Sequence, residues 1–203
     1  VSSILKLMLD KHEFSSSEME RILNLVKKTK NYLEWFYKYR DPNDTGLVSI
    51  LHPWESGTDN SPLWDFPLSK ILIEENLEYK RRDLDVSSSD VRPLKRDYDC
   101  YITLLNQFRN EKYNPEKLYD ISMFNVADIG FNSLFLKACK DLVYIATKNN
   151  IDCTSIEKKI TKTENKLISL YNQNDNSFYS FDVLNKKSLE IPSITNYFIL
   201  FAD

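Results

Sequence analysis

Apolar residues recur at helical spacing along most of the chain. After "SSSEME", apolar positions repeat every three to four residues from Ile22 to Tyr37, which predicts a first long helix. Ser17 and Glu20 have the spacing of a capping box at its start, and Pro42 in "DPND" is predicted to end it. Further helical patterns predict helices over about 69–82, 93–108, 127–148 and 151–172, with a last helix after Pro192.

Strand-like patterns are confined to one place. The segments "SFYSFDV" and "KSLEI", on either side of "LNKK", predict a small β-hairpin at residues 177–191. Elsewhere the order of helix, loop and helix predicts an all-α fold of antiparallel helix pairs, arranged either as a solenoid or as a closed toroid. The sequence has no fixed-period repeat, which favours the toroid.

Residues 41–68 interrupt the helical pattern and are predicted to form a long loop. Four of the seven prolines and two of the three glycines lie there. An irregular segment of this length inside a compact domain is usually functional or disordered. Trp54, Trp64 and the apolar run at 47–51 favour order, so the loop is predicted to carry function.

Composition narrows the class of protein. The chain has 203 residues, 42% of them hydrophobic, with a net charge of −3 and a pI near 5.6. These values fit one domain with a sizeable core and argue against a nucleic-acid scaffold. No apolar run reaches the roughly 18 residues that a membrane span needs. The three cysteines are widely spaced and show neither a disulfide framework nor a metal-binding pair, so a reduced, cytoplasmic setting without metal or cofactor is expected.

Both ends of the chain fall inside apolar patterns. Val1 is not an initiator methionine, and the sequence stops in "YFILFAD" without a capping residue. We therefore expect residues 1–203 to be a fragment of a longer polypeptide whose true N-terminus, with any signal peptide, is missing.

Charge in the predicted loop is one-sided. Between Asp41 and Asp65 there are five carboxylates and neither lysine nor arginine. Crowded carboxylates disfavour joint ionisation, and neighbouring tryptophans add an apolar setting, so the pKa of at least one carboxyl is expected to be raised. A carboxyl group that stays protonated near neutral pH is what glycosidic bond cleavage requires of its general acid.

Two other interpretations of the loop stay open from composition alone. The segment "DPNDTG" has the spacing of the start of an EF-hand calcium loop, with Asp41, Asn43 and Thr45 at the first, third and fifth positions, but its twelfth position is His52 rather than Glu. In the other interpretation, the loop is a solvated acidic segment whose tryptophans pack on the core.

Two stretches resemble one family of enzymes. "RDPNDTGLVSILHPWESGTDNSPLWD", residues 40–65, resembles the signature of glycoside hydrolase family 63 and its mannosylglycerate and glucosylglycerate hydrolase relatives. Its "ESGTD" is similar to the Glu-Ser-Gly-x-Asp stretch of trehalases, and residues 124–146 are similar to a family helix that faces the sugar pocket. The resemblance implies an inverting enzyme that cleaves α-glycosidic bonds of glucosyl or mannosyl units, with small glycosylglycerate-type solutes favoured. It also implies that residues 1–203 are about the first half of a single (α/α)6 barrel domain.

The resemblance further implies roles for individual residues. Asp59 matches the general acid. The other matched positions, implied to bind the substrate, are His52, Trp54, Glu55, Asn60, Trp64, Asp65, Asp128 and Asn132. For Asp128 and Asn132, which are four residues apart on one helical face, a helix cap or a core hydrogen bond is an equally good explanation. Tyr98 and Tyr101 are favoured as core residues rather than ligands.

The family pattern has a second part that these residues lack. An inverting enzyme needs a general base roughly 6.5–9.5 Å from the acid. The resemblance implies a Glu further toward the C-terminus for that role, and Glu190 does not fit its context. We therefore expect no turnover from residues 1–203 alone.

Partners follow from the same resemblance. The expected partner is a small carbohydrate, with neither nucleic acid nor membrane, and the sequence does not define an oligomeric state. For a substrate that carries a carboxylate, Arg40, Arg81 and Arg82 are the candidate cations. The alternative function is a non-catalytic carbohydrate-binding or helical interaction module.

Overall fold

The computed structural model describes residues 1–85 and 92–202. Within these residues the fold is mostly helical. Its α-helices are α1 (Ser2–Lys11), α2 (Ser16–Arg40), α3 (Asp65–Ser69), α4 (Lys95–Asn110), α5 (Pro115–Ile121), α6 (Ile129–Lys148) and α7 (Thr154–Ile168). Segments of 3-10 helix lie at Pro53–Glu55, Pro62–Trp64, Asp83–Asp85 and Ile194–Phe201.

Short strands add a small amount of sheet. They are β1 (Val126–Ala127), β2 (Tyr171–Asn172), β3 (Ser177–Phe178), β4 (Ser180–Asp182) and β5 (Lys187–Leu189). One antiparallel sheet has the order β1-β4-β5, with Phe181 opposite Ser188, and a separate antiparallel pair joins β2 to β3. The predicted hairpin is therefore confirmed for β4 and β5, while the start of its first segment pairs with β2 instead.

Most of the predicted helices are present. The patterns over 93–108, 127–148 and 151–172 correspond to α4, α6 and α7, and the last helix is a 3-10 segment. The capping box of α2 lies two residues earlier than predicted, because the Ser15 backbone N–H and hydroxyl both donate to Glu18 Oε2, at 2.9 and 2.6 Å. Both serine–glutamate pairs have the same spacing, so the sequence did not distinguish them.

The helix predicted over 69–82 was wrong. Residues 71–82 have no regular secondary structure, and Asn76 adopts a left-handed backbone with φ of 56°. The Glu74 N–H donates to the Thr103 hydroxyl of α4 at 3.1 Å, and its carboxylate accepts from Asn106 at 2.7 Å. Hydrogen bonds to α4 thus replace the helical ones that the apolar spacing predicted.

The chain divides into two compact units. Unit 1 contains residues 1–48, 129–178 and those from 194 onward. Its core is formed by α1, α2, α6 and α7 around Val26, Leu142 and Ile156, which are fully buried. The Lys140 ammonium donates to the Ala202 carbonyl at 2.6 Å and ties the last 3-10 segment to α6.

Unit 2 contains residues 49–128, apart from 86–91, and residues 179–193. It holds α3, α4, α5 and the three-stranded sheet, and an antiparallel bridge between Ile50 and Val126 joins the predicted loop to β1. A small core cluster forms around Leu51, Phe108 and Leu118. Among the helices of the described ranges, none combines the length and the apolar character required to cross a membrane.

Candidate active site

The predicted loop contains more structure than its composition suggested. Its first part, residues 41–48, is a turn built around one carboxylate. Asp41 accepts the backbone N–H groups of Thr45 and Gly46 at 2.6 and 2.9 Å, one with each oxygen. Gly46 has a φ of +97°, and a Cβ there would lie 3.0 Å from the Lys162 carbonyl oxygen. The carboxylate of Asp41 therefore serves the backbone of this turn.

Asp44 corrects the expectation of an uncompensated acidic loop. Its two oxygens accept hydrogen bonds from Lys159 and Lys162 of α7, at 3.0 and 2.7 Å. These hydrogen bonds lower the pKa of the Asp44 carboxyl, and the one from Lys162 has the largest effect. The one-sided charge of the loop is thus balanced at Asp44 by cations that are distant in sequence.

His52 opens the second part of the loop, in unit 2, and is 3% exposed. Its Nδ1 accepts the Trp54 N–H at 3.0 Å, so the proton resides on Nε2, which donates to the Tyr101 carbonyl at 3.1 Å. Burial lowers the pKa of His52 to about 4, against the opposing effects of that hydrogen bond and of the Asp59 charge. The ring is therefore neutral at pH 7 and holds the chain in place.

Protonation of His52 is expected to couple stability to pH. Because the pKa of His52 is lower in the folded than in the unfolded protein, the neutral ring stabilises the fold. This stabilisation is fully present above the unfolded pKa of about 6.5 and is lost as pH falls toward 4. A difference of that size amounts to about 3 kcal/mol. In His52→Gln, the free energy of unfolding, measured with urea between pH 7 and 4, is expected to fall less steeply with decreasing pH by that amount.

His12, the other histidine of the chain, is exposed, and His12→Gln is the matched control. An equal loss of pH dependence in both variants would contradict the role of His52.

Trp54 presents the exposed face of an aromatic cluster. Its side chain is 41% exposed, and its ring centroid lies 4.7 Å from that of His52, 5.7 Å from Tyr101 and 5.9 Å from Tyr98. Three ring contacts fix the indole, while a large part of it stays open to solvent. Such a fixed, exposed indole is suited to stacking on the apolar face of a sugar ring.

Asp59 is half-buried next to this cluster. The Tyr101 hydroxyl donates to the Asp59 carbonyl at 2.6 Å, and the Trp64 indole N–H donates to the Thr58 carbonyl at 2.7 Å. Burial raises the pKa of Tyr98 and Tyr101, and nearby carboxylates, Asp59 among them, add to that effect. The carboxyl group is therefore held on a braced backbone within electrostatic range of the aromatic cluster.

The two tryptophans have different environments. Trp64 is 1% exposed and packs edge-on against Phe124, with ring centroids 5.8 Å apart. Its indole N–H is engaged by Thr58, as described above. Trp64 therefore supports the loop from the core, whereas Trp54 is accessible.

The remaining loop candidates also divide by environment. Glu55 is half-buried and its Oε2 accepts the Leu51 N–H at 2.8 Å, while Asn60 is exposed. Asp65 begins α3 with an exposed side chain. Partial desolvation of its carboxyl, and then the charge of Asp97, raise the pKa of that group. The expectation that at least one loop carboxyl has a raised pKa is thus confirmed at Asp65.

Asp128 and Asn132 are both buried and belong to different units. Asp128 accepts the Ser180 hydroxyl at 2.7 Å. Asn132 Oδ1 accepts the Val48 N–H at 2.9 Å, and its Nδ2 donates to the Val48 carbonyl at 2.8 Å. The core hydrogen bond considered for these positions is thus present at both. Asp128 directly precedes α6 instead of sharing a helical face with Asn132.

The sequence of the whole chain matches a known protein family. The family model for the mannosylglycerate hydrolase MGH1-like glycoside hydrolase domain matches residues 2–203. The chain belongs to this family.

Several MGH1-like relatives are clearly similar. Mannosylglycerate hydrolase of Thermus thermophilus is 36% identical over 202 residues, which cover 100% of this chain and 49% of the relative. Mannosylglycerate hydrolase MGH1 of Selaginella moellendorffii is 44% identical over 122 residues, 60% of this chain and 25% of the relative. Glucosylglycerate hydrolase of Mycolicibacterium hassiacum is 30% identical over 159 residues, 76% of this chain and 36% of the relative.

A solved structure matches the fold of this MGH1-like chain throughout. It is the crystal structure of the GH63 mannosylglycerate hydrolase from Thermus thermophilus in complex with Tris and D-glycerate, with a TM-score of 0.95 and 36% identity. The match covers 100% of this chain and 49% of that one. The chain therefore spans about half the length of the Thermus relatives, and the resemblance seen in the sequence is confirmed.

Tyr101, predicted as a core residue, also contributes to this MGH1-like site. It is 1% exposed, as a core residue should be, yet its carbonyl binds His52 and its hydroxyl binds Asp59. The three-residue spacing of Tyr98 and Tyr101 placed both on one face of α4. A tyrosine hydroxyl on a buried helix face usually has a partner, and this signal was present in the sequence.

Two of the three candidate cations are engaged within the protein. Arg40 is buried in unit 1, and its guanidinium lies over Trp35 at 5.3 Å. Arg81 forms a bidentate ion pair with Asp83 in unit 2, with a shortest distance of 2.5 Å. Arg82 is exposed.

Proposed function

We propose that this chain is part of an inverting α-glycoside hydrolase that acts on a glycosylglycerate, with Asp59 as the general acid. The proposal includes the (α/α)6 barrel, of which these residues would form about half within a single catalytic domain. Membership of the MGH1-like family and the names of the relatives support this class of reaction.

The placement of Asp59 is the observation that carries the proposal. A general acid must deliver its proton from a fixed position, and hydrogen bonds from Tyr101 and Trp64 brace the backbone on both sides of this residue. Trp54 offers an exposed aromatic face within the same cluster. Acid and sugar platform thus lie on one short segment, residues 52–65.

The chemistry follows from this arrangement. The Asp59 carboxyl would donate its proton to the glycosidic oxygen as the bond to the anomeric carbon breaks. A water molecule would attack that carbon from the opposite face and lose a proton to a carboxylate base. We assign no residue of this chain to the base, and we propose that it belongs to the half of the domain outside residues 1–203.

The remaining candidates would act at different distances from the sugar. Trp54, Asn60 and Asp65 are accessible and would contact it directly, Asp65 through the hydroxyl groups. Three more enclosed candidates would hold this segment in place through the hydrogen bonds described above; they are His52, Glu55 and Trp64. Asp128 and Asn132 bind Ser180 and Val48, outside residues 52–65, and their role as sugar ligands stays a prediction.

The stereochemistry of hydrolysis tests the proposed function. A polypeptide that contains these residues and the complete family domain is given α-mannosylglycerate or α-glucosylglycerate, and the products are followed by proton NMR. The first hexose to appear is expected to be the β-anomer, because inversion exchanges the configuration at the anomeric carbon.

Two results would contradict the proposal. Initial release of the α-anomer would show retention and a different use of the carboxyl groups. Sugar binding without hydrolysis would support the non-catalytic carbohydrate-binding module instead.

A further inference from the structure

Tyr98 on α4 is held by side chains from outside that helix. The guanidinium carbon of Arg81 lies 4.4 Å from the centroid of the Tyr98 ring, and the Tyr79 ring stacks on it at 5.5 Å with an interplanar angle of 21°. Tyr98 in turn contacts Trp54, as described above. We call Tyr79, Arg81 and Asp83 the Tyr98 clamp.

The clamp is fixed by hydrogen bonds within the protein. Arg81 Nε and Nη2 donate to the two carboxylate oxygens of Asp83 at 3.2 and 2.5 Å, and Nη1 donates to the Pro93 carbonyl at 2.9 Å. The side chains of Arg81 and Asp83 are only 13% and 17% exposed. The Tyr79 hydroxyl donates to Asp99 at 2.5 Å.

These contacts decide what Arg81 can do. Its charge is balanced by Asp83, and its plane is fixed by a bidentate pair and by a carbonyl. A guanidinium in this state is poorly placed to bind a substrate carboxylate and well suited to orienting a ring against its flat face. Lysine cannot reproduce this geometry, because an ammonium group has neither a plane nor a fork of donors.

We propose that Arg81 is a positioning residue for substrate binding, acting through Tyr98 on Trp54. The contacts run from Asp83 through Arg81 and Tyr98 to the indole, so a fixed Tyr98 ring fixes one edge of the exposed Trp54 surface. The inference rests on the proposed function, since it takes the sugar to bind against Trp54.

Substitutions at Arg81 test this inference in the enzyme with its complete domain. Arg81→Lys and Arg81→Gln are both expected to raise KM about tenfold and to change kcat less than about twofold. The increase is expected to be equal for a glycosylglycerate and for a neutral α-glycoside of the same sugar, because the clamp orients the platform and binds no carboxylate.

A cation in the same segment provides the control. Lys80 forms an exposed ion pair with Asp85 at 3.7 Å, and Lys80→Gln is expected to leave both kinetic constants unchanged. Should the Arg81 variants fail to fold, Asp83→Asn is used in their place. It keeps Arg81 but weakens its ion pair, and it is also expected to raise KM.

Different outcomes separate the possible explanations. If Arg81→Lys behaves as wild type while Arg81→Gln loses affinity only for the carboxylate-bearing substrate, Arg81 recognises charge and the inference is wrong. Unchanged KM in both variants would also overturn it.

If the wild type hydrolyses neither substrate, the proposed function fails. The affinity for sugar, measured by Trp54 fluorescence with Trp54→Phe as blank, then decides the role of the clamp. If the wild type binds no sugar, both proposals are wrong.

Discussion

Asp59→Asn is expected to lower kcat for glycosylglycerate hydrolysis about 10³-fold while leaving the affinity for the sugar nearly unchanged. The amide keeps the size of the carboxyl group and most of its hydrogen bonding but has no proton to give to the leaving oxygen. The backbone contact from the Tyr101 hydroxyl is to the Asp59 carbonyl and is preserved in the variant. Steady-state kinetics and sugar titration of the enzyme with its complete domain provide both measurements.

A substrate whose leaving group needs no protonation distinguishes the loss of a proton donor from other causes of low activity. With an α-glycosyl fluoride, whose leaving group departs without protonation, the loss caused by Asp59→Asn is expected to be much smaller. Asp44→Asn is the matched control, because Asp44 lies in the same loop and pairs with Lys159 and Lys162. Equal losses on both substrates would show that Asp59 is not the proton donor.

The helices could be predicted where the apolar spacing agrees with the packing. Residues 127–148 carry the pattern of a helix that packs along one face, and α6 does so in unit 1. The segment 69–82 carries a similar pattern but lies irregularly along α4 through hydrogen bonds at Glu74. Local periodicity contains no information about such long-range partners, and tertiary contacts override helical propensity there.

The candidate site could be predicted as a segment but not as a set of separate roles. The motif at residues 52–65 brought Trp54, Asp59 and Trp64 to attention together, yet the two tryptophans differ from 41% to 1% in exposure. Residue type and local spacing do not distinguish the exposed tryptophan from the buried one. Which indole faces solvent depends on packing partners such as Phe124, which are distant in sequence.

The charge of the loop shows the same limit. The segment from Asp41 to Asp65 contains no cation, but two lysines of α7, more than a hundred residues away in the sequence, neutralise Asp44. The pKa is raised at Asp65, where partial desolvation and then the charge of Asp97 are the causes. A local charge count therefore predicted that a carboxyl would be shifted, but neither its position nor the larger cause.

Asn132→Ala is expected to lower the free energy of unfolding by about 4 kcal/mol, because it leaves two buried backbone groups without a partner. Val48 is fully buried and lies in neither helix nor strand. The Asn132 amide therefore supplies both hydrogen bonds that a neighbouring strand would otherwise provide, at 2.9 and 2.8 Å. Each unsatisfied backbone group costs about 1–3 kcal/mol. Urea unfolding at neutral pH measures the loss.

Asn149→Ala is the matched control on the same stretch of chain. Asn149 follows α6, is half-buried, and donates one hydrogen bond to the Ile145 carbonyl at 2.8 Å, so its loss is expected to cost about 1 kcal/mol. Equal destabilisation by the two variants would show that the Val48 contact has no special weight. Asn132→Ala could instead keep the wild-type free energy of unfolding and raise KM in the complete enzyme. That result would support the role of sugar ligand that the sequence resemblance implied for Asn132. The pair of measurements thus distinguishes a residue that holds the Val48 backbone from one that touches the substrate.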